Sequence, residues 1–304
     1  MTDQKDIDTH RIYSIRMILR VAGRSPSGYY GACRQKVNTN TQPAKKRGPV
    51  TEITDEEILV LIEKYIQNDI FHGTGYKKIH AKINQILRGK GYSIGKNRVF
   101  HIMQSKDIPG KAPGGSGSSR IHDGTITKEN PNEMWGTDGK KFWTKQDGWC
   151  WLFDTADHFN SEIIGWNVVK IGDRFEATRS VQNAVQNRFG SLEKGVAAGL
   201  QIRSDLGSQY TSDYFMDSMD HLGIDISFSW AHSPECNGII ERFHRTIQEQ
   251  LFDLFEFENL DEAIAGIGEF IEKYNNFWIL ERHGYLSPLE KLNDYKKQKD
   301  KKVA

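Results

Sequence analysis

A stretch of eleven residues, Pro109-Gly-Lys-Ala-Pro-Gly-Gly-Ser-Gly-Ser-Ser119, constrains this chain more than any other feature. Two prolines among so many glycines and serines cannot join a packed helix or strand. The stretch reads as a flexible linker and marks a boundary between the parts on either side of it. Charge changes at the same place. Residues 1–125 hold 21 Lys and Arg against 11 Asp and Glu, and the remainder holds 20 against 29, so a net of +1 conceals +10 and −9. All seven tryptophans lie after residue 130. A basic arm joined to an acidic, aromatic body points to nucleic acid on one side, with two merely solvated surfaces as the competing explanation.

Other classes are excluded by simple features. The longest strictly aliphatic run spans 58–62, far short of a membrane span. The acidic N-terminus lacks the apolar segment of a secretory signal. Three scattered cysteines, Cys33, Cys150 and Cys236, offer neither a zinc spacing nor a disulfide framework, which fits a reducing cytosol.

Upstream of the linker, Thr54 before Asp55-Glu56-Glu57 is an N-cap followed by acids in the first helical turn, and predicts a helix to about Asn68. Ile79, Ile83, Ile86 and Leu87 recur at helical spacing up to Gly89-Lys90-Gly91, and a third helix is expected from about Lys96 to Lys106, with Val99, Ile102 and Met103 inward. This resembles a helix-turn-helix that offers Lys96, Asn97, Arg98 and His101 to a DNA groove, although a plain helical bundle with a basic face shares the pattern. In the first fifty residues, Ile15, Ile18 and Leu19 suggest a short amphipathic stretch, and Lys45-Lys46-Arg47 a phosphate contact or a solvated linker.

Downstream the pattern alternates. Strands are expected near Met134-Trp135-Gly136-Thr137, over 149–154, 163–169 and 200–203, and over 224–230, where apolar and polar residues strictly alternate. Helical faces are marked by Phe175, Thr178, Val181, Val185 and Phe189, by Tyr214, Phe215, Met219 and Leu222, by Ile240, Phe243, Ile247, Leu251 and Leu254, and by Leu260, Ile264, Ile267, Ile271 and Tyr274. The fold class is α/β with a mixed sheet, preceded by a small all-α region. The expected division is 1–50 an N-terminal helical DNA-binding segment, 51–108 the helix-turn-helix-like domain, 109–130 the linker, 131–255 the catalytic core and 256–304 a C-terminal helix and tail.

Three acids stand at informative places. Asp138 and Asp205 sit at or beyond strands, where sites form in open α/β sheets, and Glu241 lies one turn into a helix beside Arg245 and Gln248. Read singly, each is an ordinary strand, turn or helix acid. Hard divalent cations take such oxygen ligands, and two of them about 3.5–4 Å apart support in-line displacement at phosphorus. Asp154 and Asp157 follow a strand near the site and read as structural or turn residues, with a supporting role behind the three acids as the lesser alternative, and Trp135 and Trp230 read as core rather than base-stacking.

The flanking motifs go further. Trp135-Gly136-Thr137-Asp138, Ser204-Asp205-Leu206-Gly207-Ser208-Gln209-Tyr210-Thr211-Ser212 and Asn237-Gly238-Ile239-Ile240-Glu241-Arg242-Phe243-His244-Arg245-Thr246, with 35 residues between Asp205 and Glu241, resemble the insertion-sequence transposases whose core is like retroviral integrase. Tyr274-Asn275-Asn276 and Gly284-Tyr285-Leu286-Ser287-Pro288 resemble that family's tail, Gly75-Tyr76-Lys77-Lys78-Ile79 its helix-turn-helix segment, and residues 25–30 its leading segment. The resemblance implies a ribonuclease H-like core in which Asp138, Asp205 and Glu241 bind two Mg²⁺ ions, with Mn²⁺ as a substitute. It implies that water frees a 3′-hydroxyl at the element's end, that this hydroxyl attacks a second phosphodiester, and that Arg245 and Gln248 contact DNA. It further implies double-stranded DNA as partner at both element ends and target, a homo-oligomer on that DNA, fusion with an upstream-frame DNA-binding protein, and a bacterial cytoplasmic, nucleoid-associated setting. Two departures stand out: Leu206 replaces the usual polar residue after the second Asp, and Arg282-His283 abut Gly284 directly. Only Cys33 precedes the core, so no zinc module is expected. The competing functions are a nuclease without joining activity and a catalytically inactive, transposase-derived DNA-binding regulator; the presence of all three acids counts against the latter.

Overall fold

The computed structural model describes residues 52–108, 128–228 and 238–303, with a few positions nearer the N-terminus. The chain divides into two units, Met1–Glu52 and Ile53–Ala304. In the first, two-residue strands Gln4–Lys5 and Ile12–Tyr13 pair antiparallel, and Leu19 is helical and buried. The basic run at 45–47, the linker at 109–119, Trp230 and the residues at 234–237 lie outside the described residues.

The second unit begins with three helices, α1 (Asp55–Gln67), α2 (Tyr76–Arg88) and α3 (Lys96–Ser105). Thr54 starts α1 with a capping box. Its Oγ1 accepts from the Glu57 amide at 3.2 Å, and Glu57 Oε2 accepts from the Thr54 amide at 2.9 Å. Replacing Thr54 with Ala removes one orphan-donor partner and is expected to cost about 1 kcal/mol, read as a lower urea midpoint at unchanged slope. Ile58, Ile62, Ile79, Ile83, Val99 and Met103 close a small core between the helices.

The body continues as β1 (Met134–Thr144), β2 (Gly148–Asp157), β3 (Ile163–Val169), α4 (Arg174–Phe189), β4 (Gln201–Ser204), α5 (Asp213–Leu222), β5 (Asp225–Phe228), α6 (Gly238–Ile247), α7 (Leu260–Phe277) and α8 (Pro288–Val303). The sheet order is β3-β2-β1-β4-β5. The first three strands form an antiparallel meander, and β4 and β5 add in parallel beside β1. Side chains of alternate parity build two cores. Trp135, Phe153 and Ile202 meet α4 and α5 on one face, while Phe142, Leu152 and Val168 meet α6 and α7 on the other. This is the α/β architecture with a mixed sheet that was expected. Trp135 is fully buried, as a core residue. On the first face the α4 backbone lies so close to β3 that a Cβ on Gly165 would stand 2.3 Å from the Ser180 carbonyl oxygen.

Two details depart from the sequence pattern. After α6 the chain makes a π-helical turn over Gln248–Phe252. The helix ends with this turn, at the C-cap Asp253, so Leu254, expected on the apolar face, lies past the helix and is exposed. The second departure is that the N-terminal helices dock on the body. Phe71 enters the α6–α7 core and meets Trp278 edge-on at 4.7 Å between centroids, and Lys78 Nζ lies 3.1 Å over the Trp278 ring. The His72 amide donates to Gln250 Oε1 at 2.8 Å, and Gln250 Nε2 donates back to the His72 carbonyl at 2.9 Å. Burial against this aromatic surface pushes the Lys78 ammonium down to about 7. Among the described residues, no helix is long and apolar enough to cross a membrane.

Candidate active site

Parallel pairing of β1 with β4 brings two of the acids together. Gly136 pairs with Arg203, so two residues on, Asp138 and Asp205 fall side by side on the α6 face; Asp205 follows the end of β4, but Asp138 lies inside β1, which continues past the expected end at residue 137 to Thr144. Asp205 is exposed, and its Oδ1 accepts from the Gly207 amide at 2.9 Å, a local turn that fixes the loop after β4. Asp138 is largely enclosed, and its Oδ1 accepts from the Gly139 amide at 2.7 Å. Burial, together with the negative charges of Asp154 and Asp205, pushes its carboxyl up to about 6 against the pull of His244 and the Gly139 amide.

Asp154 lies directly across β1–β2 from Asp138 and is fully buried. From α6, His244 places Nε2 2.6 Å from Asp154 Oδ1 and Nδ1 3.6 Å from Asp138 Oδ2. Burial lowers the His244 imidazole, but the two carboxylates outweigh it and its net displacement is upward. Lys140 stands one step along β1 on the same face, half-buried, its ammonium lowered by burial although Asp154, Asp253 and Asp138 oppose this. Tyr210 is enclosed in the α4–α5 core on the other face of the sheet; burial and the negative charges of Asp138, Asp154 and Asp205 hold its phenol neutral, well above its ordinary range.

Glu241 stands apart. It is exposed on the first turn of α6, three residues before His244. Among the described residues, no group of three or more His, Cys, Asp or Glu is gathered closely enough to hold a metal ion. Arg245 is exposed one turn beyond Glu241, whereas Gln248 Nε2 donates to Asp253 Oδ1 at 2.6 Å across the π-turn. On α3, Lys96, Asn97 and His101 are exposed. Arg98 is engaged differently: Nε donates to Asp55 Oδ1 at 2.7 Å and a terminal nitrogen to the Ile53 carbonyl at 2.7 Å, which ties α3 to the start of α1.

Sequence reasoning missed His244 and Lys140 and treated Asp154 as structural. The signal for Lys140 was present, since it shares the parity of Asp138 on one strand. His244 and Asp154 are 90 residues apart, and only the tertiary fold joins them.

The Arg282-His283 pair is structural. Arg282 donates to the His158 carbonyl at 2.8 Å, and His283 Nε2 lies 3.3 Å from Ser161 Oγ. Burial and nearby cations push both His158 and His283 down to about 4. Each lies below the unfolded value near 6.5, so each destabilises the fold as pH falls from about 6.5 towards 4. Asp138 and Asp157, both pushed up to about 6, act oppositely, favouring the fold as pH falls from about 6 to 3.8. The two effects overlap and partly cancel, so ring-proton chemical shifts are the cleaner measure. Neither His158 nor His283 is expected to titrate above about pH 5.5.

Residues 128–234 match the integrase core domain family, and residues 222–288 match a second family of the same description. The transposase InsD of insertion element IS2A/D/F/H/I/K from Escherichia coli is 27% identical over 221 residues, covering 72% of this chain and 73% of that protein. The InsD transposase of insertion element IS2-9 from Escherichia coli strain K12 is equally similar, at 27% over 72% and 71% of the two chains. Among solved structures, the simian T-cell lymphotropic virus intasome with the PP2A regulatory subunit B56 gamma aligns at a TM-score of 0.45 and 19% identity over 71% and 73% of the chains. The HTLV-2 integrase catalytic core in complex with magnesium aligns at 0.40 and 17% over 53% and 95%.

Proposed function

We propose that this chain, which belongs to the integrase-core family of insertion-sequence transposases, cuts DNA at the ends of its element and joins the freed strand to a second site. The observation that carries the proposal is the juxtaposition of Asp138 and Asp205 at adjacent parallel strands, with the Asp138 carboxyl raised by burial and by neighbouring negative charge. Such a cluster gains when a cation neutralises it, and its all-oxygen donors suit Mg²⁺ or Mn²⁺.

In this reading Asp138 and Asp205 would hold two divalent ions together with Glu241, which would have to come to them from its exposed place on the first turn of α6. When bound, these ions supply positive charge to the phosphodiester oxygens and acidify water at the site. The chain's own residues do the rest. Lys140 offers a cation to a phosphate at the edge of the acid pair, and Arg245 offers another beyond Glu241. Water's oxygen forms a bond to phosphorus and the 3′-oxygen leaves as a hydroxyl. That hydroxyl then forms a new bond to phosphorus in target DNA as a second strand oxygen leaves. Lys96, Asn97 and His101 are the groove contacts on α3. The chain acts on double-stranded DNA as a homo-oligomer, extended by an upstream-frame DNA-binding protein, in the bacterial cytoplasm.

The test presents the full chain with DNA carrying an element end, a target duplex and Mg²⁺. Joined product is expected. Cleavage without joining would instead indicate a nuclease, and binding without either reaction a regulator. Binding should also weaken steeply with salt, with a log–log slope of about −0.9 per phosphate contact. A salt-independent affinity would contradict the basic DNA-reading face.

A further inference from the structure

We infer that Asp154 and His244 form a positioning pair that fixes the rotation of α6 over the sheet, and thereby where Glu241 stands relative to Asp138 and Asp205. The inference rests on the metal-site reading above.

Asp154 occupies the middle of β2, on the face where its same-parity neighbours are Leu152 and Ala156, both fully buried in the α6–α7 core. A carboxylate in that position is costly unless it is paired and hydrogen-bonded. Its Oδ1 is paired, at 2.6 Å, with His244 Nε2, and its Oδ2 has no hydrogen-bond partner among the described residues. The ring bridges two strands, because its other nitrogen stands 3.6 Å from Asp138 Oδ2.

The other side chains that α6 gives to this core, Ile239, Ile240, Phe243 and Ile247, are apolar and without directional preference. The short bond to Asp154 is directional and sets the helix's rotation about its axis. Glu241 lies three residues earlier, on the same side of the helix and about one turn away. Whatever holds the His244 ring therefore also aims the carboxylate of Glu241.

A purely structural pair would behave differently. Two buried polar partners can often be replaced together by apolar residues of similar volume without loss of stability. Leucine at both positions suits the surrounding Leu152, Ala156 and Phe243. The test compares four full-length proteins: wild type, the double variant Asp154→Leu/His244→Leu, His244→Gln, which keeps a donor for Asp154, and Asp205→Asn. Thermal midpoint, Mn²⁺ dissociation constant by calorimetry, and kcat and KM for joining are measured on each. The double variant should stay folded yet bind Mn²⁺ about tenfold more weakly, with joining turnover down 10- to 100-fold at unchanged DNA KM. His244→Gln should recover part of both losses.

Wild-type Mn²⁺ affinity and turnover in a folded double variant would overturn the inference. If the double variant fails to fold, the comparison passes to His244→Gln against His244→Leu, and equal Mn²⁺ affinities in the two would overturn it as well. Unchanged Mn²⁺ affinity in Asp205→Asn would overturn the metal-site reading itself, an outcome distinct from failure of the pair alone.

Discussion

Asp205→Asn is expected to lower strand joining by about 10²–10⁴-fold while leaving the fold and DNA binding in place. Asn keeps the side chain's shape and can still accept from the Gly207 amide through its carbonyl oxygen, so the turn after β4 survives. The carboxylate charge is what disappears. Asp138 then loses one of its negative neighbours, so its carboxyl should fall back towards the ordinary range. The measurement is single-turnover joining at saturating Mg²⁺, with circular dichroism and a DNA-end titration as controls. Joining at the wild-type rate would remove Asp205 from the chemistry.

Gly165→Val is expected to leave no soluble folded protein, and Gly165→Ala to cost about 3 kcal/mol or more. A Cβ at this position would stand 2.3 Å from the Ser180 carbonyl oxygen and 2.4 Å from the Ala184 amide nitrogen. Both are backbone atoms of α4, so no rotamer change relieves the clash and the helix itself must retreat. Retreat opens the core beneath Ala177, Val181, Ala184 and Val185, all fully buried. Against a total stability of about 5–15 kcal/mol, the larger side chain removes much of the margin. Urea unfolding of the Ala variant and solubility of the Val variant measure this directly; an Ala variant as stable as wild type would show that α4 is not held so close.

Local chemistry was the legible part of the sequence. The Thr54–Glu57 cap, the helical spacing of Ile79 and Ile83 and the alternation through Ile224 and Ile226 each depend on contacts within a few residues, and each element formed. Asp205 was legible from the end of β4 and its flanking motif, whereas Asp138 was legible from its motif alone, since β1 runs on past it to Thr144. Long-range pairings were hidden. Arg98 looked like a DNA contact from its place on a basic helix, but its partner Asp55 lies 43 residues away. Lys78 gives no hint in sequence that it will meet Trp278. The helix end hid as well, because the apolar spacing runs on to Leu254 while the helix stops at Phe252. Glu241 was legible by motif, yet its position relative to the sheet depends on how α6 is held.

The parallel pairing of β1 with β4 has a consequence for synthesis of the chain. Asp138 and Asp205 meet only after the crossover through β2, β3 and α4 has closed, and such non-local contacts form late because loop closure must precede them. A nascent chain emerging from the ribosome N-terminus first thus exposes its basic helices before the two acids can meet. On the proposed function it would hold DNA before it could cut it, and fragments that end before residue 201, which lack β4 altogether, would compete for DNA sites without breaking them.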